Sequence, residues 1–183
     1  MAEIRGKFII MACELLETKP QAKEVALKSV KTLTGKDYKD LEPEGWYDAK
    51  VIESIYHALR ETTTPIIANA GIKLIGQKIF PTIKQTAGFP AHLKTPLDFI
   101  KYETETYKND HRGSDVKQRK IIEAREGKVV MEATSPGYDC TLIEGLFLGI
   151  LDMCGVKKKQ VTQTKCVKKG DQDCEYLITW EAG

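Results

Sequence analysis

The chain has 183 residues, a formal net charge of +2 and 42% apolar residues. This length is enough for a hydrophobic core, and so small a charge does not indicate a nucleic-acid partner or an anionic membrane surface. The apolar run near the start, residues 8–13, is too short for a signal-peptide core or a bilayer span. We therefore expect a cytoplasmic protein that does not span a membrane.

Helix signals dominate the N-terminal part of the chain. Apolar residues recur there at helical spacing, and Pro65 and Pro96 each suit the first turn of a helix. Pro81 and the turn-forming run at 88–90 are expected to break the chain. The predicted helices cover residues 5–17, 20–34, 48–60, 65–80 and 97–110.

The C-terminal part changes to strand signals. Two β-hairpins are predicted there, because β-branched and aromatic segments flank short polar turns that contain Gly127 and Gly170. A nearly apolar segment at 138–153 lies between the hairpins and predicts a buried helix, which Gly155 ends. The predicted strands cover residues 116–125, 128–134, 161–167 and 174–180.

These elements predict an α+β fold in which N-terminal helices pack on a C-terminal antiparallel sheet of about four strands. We expect a single ligand-binding domain over residues 1–183. Its helical half would be residues 1–110, and residues 111–183 would hold the two hairpins and the buried helix between them.

Three cysteines make a candidate metal site. Cys166 and Cys174 fall on opposite strands of the C-terminal hairpin, where facing Cβ atoms are about 4.5–5.5 Å apart. Cys140 lies at the start of the apolar helix. In a reducing compartment such cysteines are more often metal ligands or buried thiols than disulfides. The three thiols therefore either bind zinc, which favours thiolates, or pack as small hydrophobic side chains.

A zinc ion takes four ligands, so three cysteines leave one position to assign. Glu144 lies one helical turn after Cys140. Gln163 lies three residues before Cys166, on the opposite strand face if the strand is regular. Glu144, Gln163 and water thus stay open as the fourth ligand.

Other reactive side chains give weaker signals. His92 lies in an irregular segment beside Phe89 and is a candidate ligand contact, whereas His111 lies in a polar stretch and is expected to be exposed. No nucleophile–base pair, phosphate-binding loop or paired-carboxylate motif stands out. We therefore predict a binding protein rather than an enzyme.

Several motifs resemble one superfamily, over roughly residues 42–153. It unites haem–NO-binding (H-NOX) sensor domains, 4-vinyl-reductase-type domains and small subunits of the TRAPP vesicle-tethering complex. The motifs that carry the resemblance are IFPTI (79–83), PLDFIKYETETY (96–107), VMEATS (130–135) and LIEGLFLGIL (142–151).

The H-NOX branch binds haem through a histidine on the helix that resembles 96–110, and Tyr107 occupies that position here. Its second marker, Tyr-x-Ser-x-Arg, holds the haem propionates and reads Ala133, Ser135 and Gly137 in this chain. Tyrosine ligates haem iron in other folds, but propionate charges without the arginine would lack a partner. The resemblance therefore predicts that haem is not the native ligand.

The C-terminal hairpin resembles the 4-vinyl-reductase-type branch more closely. Phenol-sensing members of that branch hold a zinc ion with three cysteines and a glutamate. The spacing of Cys140, Cys166 and Cys174 is similar to theirs, and the position of the glutamate falls on Gln163. The resemblance thus implies a structural zinc ion that clamps the buried helix to the hairpin.

The resemblance implies a sensor or scaffold domain that binds a small hydrophobic molecule, forms a homodimer and signals by contact with a partner protein. The alternatives are a haem-based gas sensor with a non-histidine ligand, a vinyl-group reductase that needs a partner, and an acyl-binding structural adaptor. The residues implied to contact the ligand are Phe80, Phe89, His92, Phe99, Tyr102 and Tyr107.

Overall fold

The computed structural model describes residues 1–181 and confirms the α+β class. No helix in that range is long and apolar enough to cross a bilayer. The described helices are α1 (Gly6–Glu14), α2 (Pro20–Thr34), α3 (Lys50–Thr62), α4 (Pro65–Thr86), α5 (Pro96–Asp110) and α6 (Cys140–Met153). The described strands are β1 (Glu3–Arg5), β2 (Trp46–Asp48), β3 (His111–Arg112), β4 (Lys120–Arg125), β5 (Lys128–Glu132), β6 (Gln160–Lys165) and β7 (Glu175–Thr179).

The chain divides into two compact units, each built from three separate segments. The first unit contains Met1–Ile72, Asn109–Val116 and Ser135–Asp139. The second unit contains Lys73–Lys108, Lys117–Thr134 and the described residues from Cys140 onward. That the chain acts as a single ligand-binding domain stays a prediction.

A small antiparallel sheet in the first unit was absent from the sequence prediction. Its strand order is β2-β1-β3, and Ile4 in the central strand pairs with Tyr47 on one side and with His111 on the other. Each strand has only two or three residues. Alternation of apolar and polar residues cannot be recognised over so short a segment, so these strands have no recognisable signal in the sequence.

The second unit contains the predicted four-stranded antiparallel sheet, with strand order β4-β5-β7-β6. Residues on one face of the two central strands are buried, with Val129 and Met131 on β5 and Tyr176 and Ile178 on β7 all fully inaccessible. The helix α6 connects the two hairpins and buries most of its side chains. The prediction of two hairpins separated by a buried helix is confirmed.

Helix α4 does not end at Pro81, as the sequence predicts, but continues to Thr86. Pro81 has no N–H to bond the carbonyl of Gln77, one turn earlier. Gly149 of α6 packs directly against that carbonyl, because a Cβ there would lie only 2.4 Å from the oxygen. A Cα–H group can contact a carbonyl oxygen at such a crossing. The close approach of α6 thus covers the acceptor that the proline leaves open.

Candidate ligand and metal sites

The three cysteines predicted to bind a metal lie together in the second unit. Their sulfur atoms are all within 4.8 Å of one another, and Sγ of Cys140 is 3.7 Å from Sγ of Cys166. Thiolates bound tetrahedrally to zinc at about 2.3 Å have sulfurs about 3.8 Å apart. The arrangement of Cys140, Cys166 and Cys174 is therefore compatible with a bound zinc ion.

The C-terminal hairpin places two of these thiols at its loop end. Cys166 directly follows β6 and Cys174 directly precedes β7, so the two residues extend the paired strands. The loop between them begins with a 3-10 turn at Val167–Lys169, and Gly170 has a φ of 99°. The carboxylate of Asp171 accepts the N–H of Cys166 at 2.7 Å. This tight loop fixes the direction in which the Cys166 side chain points.

Burial and hydrogen bonds act in opposite directions on the two hairpin thiols. Burial raises the pKa of Cys166, but hydrogen bonds from the backbone N–H of Lys168 and from neighbouring thiols lower it to a net value below the ordinary one. Burial raises the pKa of Cys174 to about 11. Backbone N–H groups that point at a sulfur stabilise its thiolate, which is the form that binds a metal. The backbone around Cys166 thus favours the thiolate form of its side chain.

The candidates for the fourth ligand make other interactions. Oε2 of Glu144 pairs with Nζ of Lys73 at 3.0 Å, and its Oε1 accepts the N–H of Gln163 at 3.3 Å. The pairing register of β6 shifts between Gln163 and Lys165, so side chains on the two sides of this irregularity do not alternate regularly between the sheet faces. Gln163 pairs with Tyr176. Since Tyr176 and Cys174 are two residues apart on β7, they share a strand face. Gln163 therefore lies on the cysteine side, contrary to the expectation for a regular strand.

The aromatic residues predicted to contact a ligand pack against one another in the second unit. The ring of Phe89 stacks on Phe80 at 5.4 Å between centroids and meets the edges of Phe99 at 5.2 Å and Tyr102 at 5.8 Å. Phe80 and Phe99 are buried, whereas Phe89 and Tyr102 are half-buried. Aromatic pairs at such distances contribute to core stability. A role in ligand contact stays a prediction for these residues.

Tyr107 lies on α5 in a buried polar group that the sequence did not indicate. Arg119 lies over its ring, with 4.1 Å from the guanidinium carbon to the ring centroid. Arg119 also forms an ion pair with Glu103, one turn before Tyr107 on the same helix. All three residues are less than a tenth exposed. The guanidinium of Arg119 thus makes a cation–π contact with the ring of Tyr107.

The burial of His111 is opposite to the expectation, whereas the ligand role of His92 stays a prediction. His92 is exposed. His111 was predicted to be exposed but is 7% exposed in β3 of the first unit. Its Nε2 lies 3.0 Å from the hydroxyl of Tyr138, and its ring stacks on Phe8. Pairing of β3 with the central strand β1 buries a residue whose neighbours in sequence are polar.

Gly137 and Ala133, which stand at the arginine and tyrosine positions of the Tyr-x-Ser-x-Arg marker, have different surroundings. Gly137, in the first unit, has a φ of 82°, and a Cβ there would lie 2.7 Å from both the carbonyl oxygen and the Cβ of Ala49. An arginine at position 137 would therefore be strained. Ala133, in the second unit, is buried. The backbone itself thus excludes the marker arginine at its usual position.

Comparison with known proteins identifies the fold. No family model matches the sequence, and no curated protein matches it. A structure solved to probe heme distortion in the H-NOX family has a TM-score of 0.72 at 16% identity, over 97% of this chain and 95% of that chain. The Fe(II) unliganded H-NOX protein from K. algicida has a TM-score of 0.69 at 13% identity, over 98% of each chain. An H-NOX protein from S. oneidensis in the Fe(II)NO ligation state has a TM-score of 0.67 at 15% identity, over 97% of this chain and 99% of that chain.

The chain therefore has the fold of H-NOX sensor domains, as the sequence motifs indicated at the level of the superfamily. This result corrects the prediction that haem is not the ligand. That prediction relied on two missing marker residues, yet the solved proteins that share the fold along almost the whole chain include ones described with heme or Fe(II). Placement in the 4-vinyl-reductase-type branch stays a prediction.

Proposed function

We propose that this chain is a ligand-binding sensor domain of the H-NOX type and that haem, held through Tyr107, is its ligand. The observation that carries the proposal is the fold, which matches H-NOX proteins over 97–98% of the chain. We also propose a binding role rather than a catalytic one. Haem, when bound, would supply the iron that takes a small gas molecule.

The environment of Tyr107 fits an oxygen-ligated haem. A phenolate is an established ligand of haem iron, and a buried negative oxygen needs a nearby positive charge. Arg119 places a guanidinium at the ring face, and Glu103 shares its charge. Tyr107 is only 4% exposed, so water would compete poorly for the iron. These features support tyrosine in the position that histidine occupies in the resembling branch.

The haem propionates have fewer suitable partners in this chain than the haem iron has. The strained backbone at Gly137 excludes the arginine that would pair with them there. A haem in this chain would therefore need cations at other positions for its two carboxylates. We accordingly expect binding weaker than in a protein that has the complete marker, and stronger dependence on the axial oxygen of Tyr107.

Titration with ferric haem tests the proposal directly. Wild-type protein should give a saturable Soret band at about one haem per chain, and Y107F should lose tyrosinate charge-transfer absorption and bind at least about tenfold more weakly. Y38F is the control, because Tyr38 lies in the first unit and is not among the residues predicted to contact the ligand. Equal binding by wild type and Y107F would exclude Tyr107 as the ligand.

A small hydrophobic molecule is the second candidate ligand, and the ring contacts of Phe89 favour it. Phe89 is half-buried and touches three other rings, so its displacement would open an apolar space lined by those rings. Native mass spectrometry of the purified protein would reveal such a molecule. F89A, which lacks the covering ring, should then keep or increase the bound mass, while a protein that carries haem alone would show only the mass of haem.

We also propose that the three cysteines hold a structural zinc ion, as the resemblance implies. The sulfur separation of 3.7 Å between Cys140 and Cys166 supports this role. The ion would connect the start of α6 to the loop end of the β6–β7 hairpin. Elemental analysis should find about one zinc per chain, and a metal-free protein with unchanged melting temperature would contradict the clamp.

Signalling by contact requires a partner, and we propose a homodimer that binds a separate signalling protein. The resemblance is the support for both. Light scattering at several protein concentrations would show the mass of the dimer if it forms. A monomer at all concentrations would contradict the homodimer without bearing on ligand binding.

A further inference from the structure

The cysteine group contains three sulfur donors and no fourth donor atom among the described residues. Among residues 1–181, no imidazole, carboxylate or further thiol joins the three sulfurs within 4.8 Å. A closed structural zinc site has four protein ligands, whereas a site with three protein ligands completes its coordination with an external one. The source of the fourth donor therefore decides what this site can do.

Glu144 is the charged candidate that the sequence suggests for that position, and both of its oxygens already have partners. Its two carboxylate oxygens bind Lys73 and the N–H of Gln163, at 3.0 and 3.3 Å. These bonds tie α6 both to α4 and to β6, within the second unit. Rotation of Glu144 toward the sulfurs would leave a half-buried lysine without its carboxylate and a strand N–H without its acceptor, which is costly.

Gln163 is the nearest neutral candidate, and it is held by Tyr176. The side-chain nitrogen of Gln163 lies 3.4 Å from the hydroxyl of Tyr176. Tyr176 is fully buried, so rotation of Gln163 toward the sulfurs would take this contact away from a buried hydroxyl. Carboxamides are also absent from the usual ligands of zinc, which are thiolate, imidazole and carboxylate.

Charge determines which external donor suits the site. A divalent ion with three thiolates has a net charge of −1, and burial of a second negative charge would be unfavourable. Cys166 and Cys174 are buried, whereas Cys140 is half-buried. A small neutral donor can therefore approach beside Cys140 at the lowest electrostatic cost.

We propose that the metal bound by Cys140, Cys166 and Cys174 keeps its fourth coordination position for an exchangeable neutral donor: water, or a small nitrogen base of the imidazole class. This inference rests on the proposed metal site. It adds a second binding function, separate from the ligand at Tyr107. The base would replace water at the metal beside Cys140, at the start of α6, whereas Tyr107 lies on α5.

Cobalt(II) in place of zinc makes the coordination visible, and imidazole is the probe. Addition of imidazole to the cobalt protein should shift the d–d bands in a saturable way while three thiolate-to-cobalt bands persist. Azide, an anion of similar size, should give a response at least about tenfold weaker because of the charge argument. Q163A should have the wild-type cobalt spectrum before imidazole is added, since Gln163 is not a ligand.

The variant Q163H is the decisive control. Gln163 lies on the cysteine face, so a histidine there can complete a closed site of three cysteines and one histidine. Its spectrum without imidazole should match that of wild type with imidazole, and added imidazole should have no effect. A wild-type spectrum unaffected by imidazole, or a Q163A spectrum that differs from wild type, would overturn the inference. Failure of the protein to bind cobalt or zinc at all would instead contradict the proposed metal site.

Discussion

Arg119 lies on the ring face of Tyr107, 4.1 Å from the ring centroid, and pairs with the carboxylate of Glu103. The sequence motifs indicate Tyr107 but neither of its charged neighbours. The side chains of Arg119 and Glu103 are 2% and 8% exposed. A buried ion pair is sensitive to the loss of one partner, because the other charge is then left without compensation.

R119Q is expected to lower the free energy of unfolding by about 3–5 kcal/mol, since it leaves Glu103 buried and unpaired. The double variant E103Q/R119Q removes both charges and should recover most of this loss. Urea denaturation at pH 7 measures both values. A loss in R119Q of less than about 1 kcal/mol, the range of exposed pairs, would show that the pair is accessible to water.

C166S is expected to lose bound zinc and to melt at a lower temperature, because it removes one of three thiolate ligands. C154S is the matched control, since Cys154 is a half-buried cysteine outside the group. Elemental analysis and thermal unfolding should therefore separate the two variants. Full zinc content in C166S would contradict the clamp between α6 and the hairpin.

G145A is expected to destabilise the second unit, because α4 and α6 cross closely there. A Cβ on Gly145 would lie 2.1 Å from the carbonyl oxygen of Lys73, and such overpacking costs about 1–3 kcal/mol. G71A is the control on α4, where the new Cβ would have only ordinary contacts, at 3.8 Å or more. It should gain up to about 1 kcal/mol from helix propensity. Equal effects of the two substitutions on the urea midpoint would contradict the close crossing.

Asp98 is expected to give α5 a pH-dependent stability. Its carboxylate accepts the N–H groups of Thr95 at 2.9 Å and Lys94 at 3.1 Å, and these bonds lower its pKa. A lowered folded-state pKa means that the stabilisation is complete above the unfolded pKa of about 3.9 and is lost as the pH falls through the folded value.

D98A should therefore cost about 0.5–1 kcal/mol at pH 7, the low end for a cap because the carboxylate is exposed to solvent. The difference from wild type should shrink as the pH falls below about 4. Urea unfolding at pH 7 and at successively lower pH provides the comparison. A difference that stays constant over this range would show that Asp98 acts through packing rather than charge.

The sequence predicted the elements in which apolar residues recur over several helical turns or along several strand residues. Examples are the apolar helix α6 and the hairpin that contains Cys166 and Cys174. Together these elements bring the three thiols close to one another. It could not predict β1, β2 and β3, which are too short for a period, or the burial of His111 that follows from their pairing. The helix end predicted at Pro81 was wrong, because the effect of this proline depends on Gly149, which is far away in sequence. Arg119 had no local signal, since only the tertiary fold brings it to Tyr107.

The haem content of the purified protein tests the central proposal most directly. The chain should be expressed with a haem precursor in the medium, and haem should be measured as the pyridine complex against protein concentration. The proposal predicts about one haem per chain in wild type, the same value in Y38F and a large loss in Y107F. A wild-type protein that contains no haem after this treatment, and gains none on titration with ferric haem, would contradict it.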